Sequence, residues 1–245
     1  MTATVLLVLH ADSTDTAMLE AVLAEQGNRV RFLRLYAGEQ APDAGVLAEL
    51  AGLVVLGGAM GAYEAHRYPF LNTSMRLLDA AVAAALPTMA ICLGAQLLAR
   101  VAGGRAFPGN AGLEWGFVPI KLTAAGQGDP VLDGAGAEHF SFHSDSFDLP
   151  PGVEVLAESV SYPQAFRVGS ALGLQFHPEL SVHGMHQLLA LAAGTAPDAE
   201  IDAARVQATA RAAATRRGLA ALLTRWAMRP TPVHDPHPPD LWRSG

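Results

Sequence analysis

Short β-branched and aliphatic runs alternate with alanine- and leucine-rich stretches of helical spacing through the first hundred residues, which constrains the fold more than any other feature. "TVLLVL" (4–9) precedes "TAMLEAVLAEQG" (16–27), which ends on Gly27, a natural helix stop. "RVRFLRL" (29–35) leads into a loop containing Pro42, and "AGLVVLGG" (51–58) reads as a third strand. "NTSMRLLDAAVAAAL" (72–86) reads as a helix capped by Asn72 or Thr73, and "PTMAIC" (87–92) is a fourth strand opening onto "GAQLLARVAGG" (94–104). This order predicts βαβ units and an open, mostly parallel sheet with flanking helices.

The second half changes character. "WGFVPIKL", "HFSFH", "VEVLAES", "QAFRV" and "ALGLQFH" read as short strands of an antiparallel excursion that returns to the main sheet at "LGLQFHPE". "VHGMHQLLALAAG" (182–194) is a further helix. Two regions are expected: a domain over 1–195, and a helical extension with a proline-rich tail over 196–245. The extension carries Arg205, Arg211, Arg216, Arg217, Arg225 and Arg229 on a long helix, expected to be interrupted near Gly218. Its basic stripe reads as a solvated face, and the helix is expected to pack on the domain or on a second copy of the chain, as in a homodimer. The tail, with His234 and His237, is too proline-rich to fold alone.

Composition narrows the function. A formal charge of −7 argues against nucleic-acid binding, which needs a basic face. One cysteine cannot form an internal disulfide, so nothing requires an oxidising compartment. The N-terminus lacks a basic region, its apolar run spans only Val5–Leu9, and no run approaches the roughly 20 apolar residues of a membrane span. A soluble, cytoplasmic protein without a membrane partner is expected.

The single thiol, Cys92, stands where the fourth strand turns into a helix, flanked two residues away by Ala90 and Gly94. A nucleophile elbow needs small residues at those two positions because the sharp turn brings them against neighbouring backbone. The following helix aims its first amides at the sulfur and favours the thiolate. A lone cysteine in an apolar segment is also what a buried small hydrophobe looks like. His177 ends a strand with Glu179 two residues on, on the same face of an extended segment across Pro178. A cysteine nucleophile needs a base and the base needs a carboxylate, so the pair fits both roles, although a strand-end histidine beside a surface glutamate reads the same way. Gly57 and Gly58 expose backbone amides in the same layer, and the amides of Gly58 and Leu93 could form an oxyanion hole. An ordinary strand-to-loop turn is the alternative. No phosphate-loop signature follows, and no cofactor is implied. His183 and His186 lie three apart on a helix but have no carboxylate or cysteine at ligand spacing, so no metal site is expected.

Gly-Gly, then Cys, then His-x-Glu, in this order and spacing, resembles the class I glutamine amidotransferases, and among them the stand-alone members akin to the amidotransferase domain of GMP synthase. "ICLGAQLLARVAGG" is similar to the family's nucleophile segment, "LGLQFHPE" to its His-Pro-Glu segment and "AYEAHRYPFL" to the stretch after the Gly-Gly turn. "FHSDSFDLPPGVEVLAES" is similar to its H-G-D-x-F segment, and the likeness covers residues 3–190. Three positions depart from the pattern: Ala90, Ala59 and Ser144 stand for glycine, proline and glycine.

The resemblance implies a three-layer, flavodoxin-like fold and a Cys92–His177–Glu179 triad acting on L-glutamine through a γ-glutamyl thioester. It implies that Gln96 helps hold the substrate, and that the turn at His143, Ser144 and Asp145 contacts the substrate's α-amino and carboxylate groups through its backbone. The ammonia would serve a separate synthetase subunit. A free-standing hydrolase of γ-glutamyl amides or peptides is the alternative, and a non-catalytic binding module a third.

Overall fold

The structure, a computed structural model, describes residues 3–132 and 136–227. Arg229, His234, His237 and the proline-rich tail lie outside the described residues. The first strand, β1 (Thr4–Leu9), is followed by α1 (Ala17–Glu25), β2 (Arg29–Arg34), α2 (Ala44–Ala48), β3 (Gly52–Val55), α3 (Phe70–Ala83), β4 (Thr88–Ile91) and α4 (Leu93–Val101). Short strands come next: β5 (Arg105–Pro108), β6 (Glu114–Pro119), β7 (Lys121–Leu122), β8 (Glu138–His143), β9 (Asp145–Asp148), β10 (Val155–Glu158), β11 (Pro163–Val168) and β12 (Ala171–Leu174). The helices α5 (Val182–Leu191) and α6 (Asp198–Ala227) follow.

The main sheet runs β2-β1-β3-β4-β12-β11-β10-β7. Its first five strands are mutually parallel, and the last three join antiparallel. The expected excursion therefore returns to the sheet through β12, alongside β4, and it also builds two separate two-stranded ribbons, β5-β9 and β6-β8.

Alternate side chains of the buried strands feed different layers. Val5, Leu7 and Leu9 of β1 pack in one core with Leu19 and Leu23 of α1, whereas Leu6 and Val8 enter another with Leu71 and Leu78 of α3 and Leu97 and Leu98 of α4. Both faces of β1 are covered, which is why it reads as a continuous apolar run. A third cluster joins Phe140 to Met185 and Leu189 of α5 and to Ile201, Ala204 and Ala208 of α6.

Three local expectations are corrected. The helix after Gly57–Gly58 is capped by Pro69 and starts at Phe70, ahead of Asn72 and Thr73, because the proline ring presets a helical φ of −57°. The loop with Pro42 contains α2, whose first turn is fixed by Asp43 accepting from the Val46 amide at 2.9 Å. The long helix runs through Gly218 without a break. A glycine there costs about 1 kcal/mol relative to alanine, and burial of Leu219, Leu222, Leu223 and Trp226 just beyond it outweighs that cost.

The arginines of α6 do more than face solvent: Arg211 reaches Glu138 and lies over the Phe117 ring, and Arg216 pairs with Glu25. The helix thus packs on its own domain. Among the described residues no helix is long and apolar enough to cross a membrane.

Trp226 packs against Gly52, where a Cβ would fall 2.4 Å from the indole. Trp226→Ala should lower unfolding stability by about 3–5 kcal/mol, the usual range for emptying a buried aromatic site. Urea denaturation checks this.

Candidate active site

Four strand ends meet at the carboxyl edge of the parallel sheet, where α/β sheets bind ligands. His10 directly follows β1, β3 runs into Gly57–Gly58, Cys92 directly follows β4, and the chain after β12 delivers His177.

Cys92 adopts φ 53°, ψ −110°, a conformation that side-chain-bearing residues rarely adopt. Its amide donates to Leu174 O at 2.8 Å and its carbonyl accepts from the Gln96 amide at 3.1 Å, so the residue is fixed from both sides. Ala90, two residues before, is fully buried between β3 and β12. Gly94, two residues after, has no room for a side chain: a Cβ would fall 2.2 Å from Val55 O. Leu93 opens α4, so the first amides of that helix face the thiol.

His177 Nδ1 donates to Glu179 Oε1 at 2.7 Å, and the Cys92 side chain is near enough to influence the ring's protonation. All three side chains are buried. Burial is the largest influence on His177 and disfavours its charged form, yet Glu179 and Cys92 together outweigh it and raise the pKa to about 10. The ring is therefore imidazolium at neutral pH. Gly57 closes one side of the group: a Cβ on it would lie 3.3 Å from His177 Cε1 and 3.9 Å from Cys92 Sγ. Gly58 is more tightly enclosed, 2.9 Å from Leu93 Cδ2 and 3.1 Å from His10 Cβ by the same measure.

Gln96 is buried one turn into α4, where its amide donates to Gln175 Oε1 at 3.2 Å and to Asp145 O at 3.4 Å. It thereby ties the helix to the 143–145 turn. His143 does not point outward: Nδ1 lies 2.9 Å from Asp145 O and Nε2 3.2 Å from Glu114 Oε1. Glu114 also accepts from Ser159 Oγ and Gln164 Nε2, each at 2.6 Å. Burial works against its carboxylate most strongly, but these bonds and His143 hold its pKa below the usual value. Ser144 is exposed, and its carbonyl accepts from the Gly109 amide at 2.8 Å. Asp145 is raised above the usual carboxylate pKa, chiefly by burial and further by Glu64, against a lowering hydrogen bond from Tyr63.

Three members of this neighbourhood escape a reading of the sequence alone. Glu114 sits in a segment without a motif, and Tyr63 lies in the "AYEAHRYPFL" stretch but carries no chemistry that singles it out. His10 carried a signal, its place directly after a parallel strand. It is fully buried, with Nδ1 3.0 Å from Leu56 O and Nε2 2.7 Å from Ser74 Oγ. His186 Nε2 donates to Arg205 O at 3.1 Å, bracing α5 on α6. Among the described residues no group of three or more His, Cys, Asp or Glu is arranged to hold a metal ion.

Comparison with known proteins decides the family. The "Glutamine amidotransferase class-I" family profile matches residues 7–195. The chain belongs to the class I glutamine amidotransferases. It is 35% identical over 134 residues to a glutamine-hydrolysing GMP synthase of Thermomicrobium roseum, covering 53% of this chain and 23% of that protein. It is 37% identical over 179 residues to the pyridoxal 5'-phosphate synthase subunit PdxT of Parafrankia, covering 65% of this chain and 85% of that protein. The crystal structure of a glutamine amidotransferase from Thermotoga maritima superposes with a TM-score of 0.83 at 28% identity, covering 93% of this chain and 99% of that one. The chain spans only about a quarter of the length of the first GMP synthases it matches, 23% and 29%. As in the structures of this family, its central sheet is mostly parallel with helices on both faces.

Burial pushes the pKa of His10 down to about 4 from 6.5, against smaller raising contributions from its bonds to Gly57 and Leu56. The unfolded chain therefore binds this proton more readily, and stability present above pH 6.5 is lost as the pH falls through about 4. This group should account for up to about 3 kcal/mol of acid destabilisation. The slope of unfolding free energy against pH between those limits should flatten in His10→Leu, as measured by urea denaturation.

Proposed function

We propose that this chain hydrolyses the side-chain amide of L-glutamine through a γ-glutamyl thioester on Cys92, releasing ammonia for a separate synthetase. The observation that carries this reading is the buried line Glu179–His177–Cys92 beside Gly57–Gly58, in a chain of this family. With His177 held as imidazolium, Cys92 acts as the thiolate. Its sulfur attacks the amide carbon, and the carbonyl electrons move to an oxyanion received by the amides of Gly58 and Leu93. Collapse of that intermediate breaks the C–N bond, and His177 Nε2 delivers its proton so that ammonia leaves. Neutral His177 then takes a proton from water, whose oxygen attacks the thioester. Glutamate departs, and the thiolate–imidazolium pair is restored. Glu179 accepts from Nδ1 throughout and keeps Nε2 aimed at the reacting atoms. Gln96 and the backbone of His143, Ser144 and Asp145 hold the amino-acid end of the substrate.

Support for a partner comes from the relatives. The Parafrankia protein, of which this chain covers 85%, is named as a synthase subunit, and the Thermomicrobium protein is a synthase that hydrolyses glutamine and extends well beyond the matched region.

Glutamate release from L-glutamine tests the reading, with Cys92→Ala as the blank. Cys92→Ala should lose all turnover, and His177→Ala about 10²–10⁴-fold; full activity in either variant contradicts the assignment. If the purified chain turns over γ-glutamyl dipeptides briskly by itself, the free-standing hydrolase replaces the synthetase subunit as the reading.

The pH profile gives a second check. Activity should fall on the alkaline side as His177 loses its proton near pH 10. Glu179→Gln removes a contribution that raises this pKa, so the alkaline limb should move to lower pH, with a smaller loss of rate than His177→Ala. An unmoved limb contradicts the role given to Glu179.

A further inference from the structure

We propose that His10 is a positioning residue for this reaction: it holds the Gly57–Gly58 turn so that the Gly58 amide meets the oxyanion. The inference rests on the glutamine-hydrolysis reading above.

The turn cannot hold itself. A Cβ on Gly57 would sit tightly against His177 at 3.3 Å, and one on Gly58 would press on Leu93 and His10 at 2.9 and 3.1 Å, so both positions favour glycine. Two consecutive glycines give up the most backbone freedom when ordered and supply no side chain to restrain the turn. Ala59 follows them and adds only a methyl group.

His10 supplies that restraint. The Leu56 amide donates to Val8 O at 3.1 Å, continuing the β1–β3 ladder past Val55. Beyond it, His10 Nδ1 lies 3.0 Å from Leu56 O and 3.4 Å from Gly57 O. Both neighbours are carbonyls, so Nδ1 carries the hydrogen. Burial keeps the ring neutral at working pH, which leaves Nε2 to accept from the Ser74 hydroxyl on α3 at 2.7 Å. The ring also stacks on Phe70 at 6.1 Å between centroids. α3 therefore locks the imidazole, and the imidazole locks the turn.

The peptide plane carries the restraint to the site. In a trans peptide the C=O and the next N–H point in opposite directions. Drawing Gly57 O toward His10 turns the Gly58 N–H away from it, while the open face of Gly57 looks onto Cys92 and His177 at 3.3–3.9 Å from a would-be Cβ.

The experiment separates this role from simple core packing. Attack on L-γ-glutamyl-p-nitroanilide passes through an oxyanion, whereas alkylation of Cys92 by iodoacetamide displaces iodide and forms none. His10→Leu should lower kcat for p-nitroaniline release by about tenfold or more, up to the 10²–10³ lost with a whole oxyanion donor. KM and the alkylation rate should stay within about twofold. His10→Gln, which keeps a donor and an acceptor, should recover much of kcat. Ser74→Ala leaves His10 in place but unlocks it, and should cost about threefold in kcat alone.

Equal losses in kcat and alkylation would overturn the proposal in favour of packing, as would unchanged kcat. If His10→Leu gives no cooperative melt, Ser74→Ala decides: unchanged kcat there overturns the proposal. Wild type no faster than Cys92→Ala would remove the parent reading and this one with it, whereas an active wild type matched by His10→Leu would remove this one alone.

Discussion

The backbone of Cys92 is the constraint on which the site depends. At φ 53° and ψ −110° it is strained, at a cost of order 1–3 kcal/mol that surrounding structure must offset. The offset is local and visible: β4 lies fully buried between β3 and β12, and α4 begins at once and sinks its first residues, Leu93 to Ala99, into the interior. Gly94 makes the turn possible, because only hydrogen fits against Val55 O. The result lifts a thiol above the sheet edge with helix amides beneath it.

The histidine and its carboxylate come from the opposite topological direction. β12 reaches Cys92 after the chain has left the sheet, built two antiparallel ribbons and returned through β10 and β11. This detour packs the 143–145 turn over α4 and brings Glu114 beneath it. A carboxylate this deep is sustained only when its hydrogen-bonding capacity is met, and Glu114 meets its own with His143, Ser159 and Gln164. On the other side of the sheet α6 closes the core around Leu222 and Trp226, outside the 7–195 region that defines the family match.

Legibility in the sequence followed the range of the physics. Cys92 with Ala90 and Gly94, and His177 with Glu179, are short-range patterns whose geometry follows from strand period and turn sterics, so they were readable without coordinates. The alternation that fixes the parallel sheet is similarly local. His10 was not readable as part of the site, because its partners Leu56, Gly57 and Ser74 lie 46 to 64 residues away. Glu114 was hidden for the same reason, its histidine standing 29 residues on. The unbroken passage of α6 through Gly218 departs from the expected interruption because tertiary burial of its last turns overrides a weak local propensity. The earlier start of α3 was a missed local signal, Pro69 at the cap.

Mass spectrometry of the Cys92-containing peptide, from wild-type protein acid-quenched during incubation with L-glutamine, tests the central chemistry most directly. The proposed mechanism predicts a γ-glutamyl adduct on Cys92 that is labile to hydroxylamine and absent from Cys92→Ala. Steady release of glutamate with no adduct under conditions that trap thioesters, or an adduct confined to another residue, would contradict it.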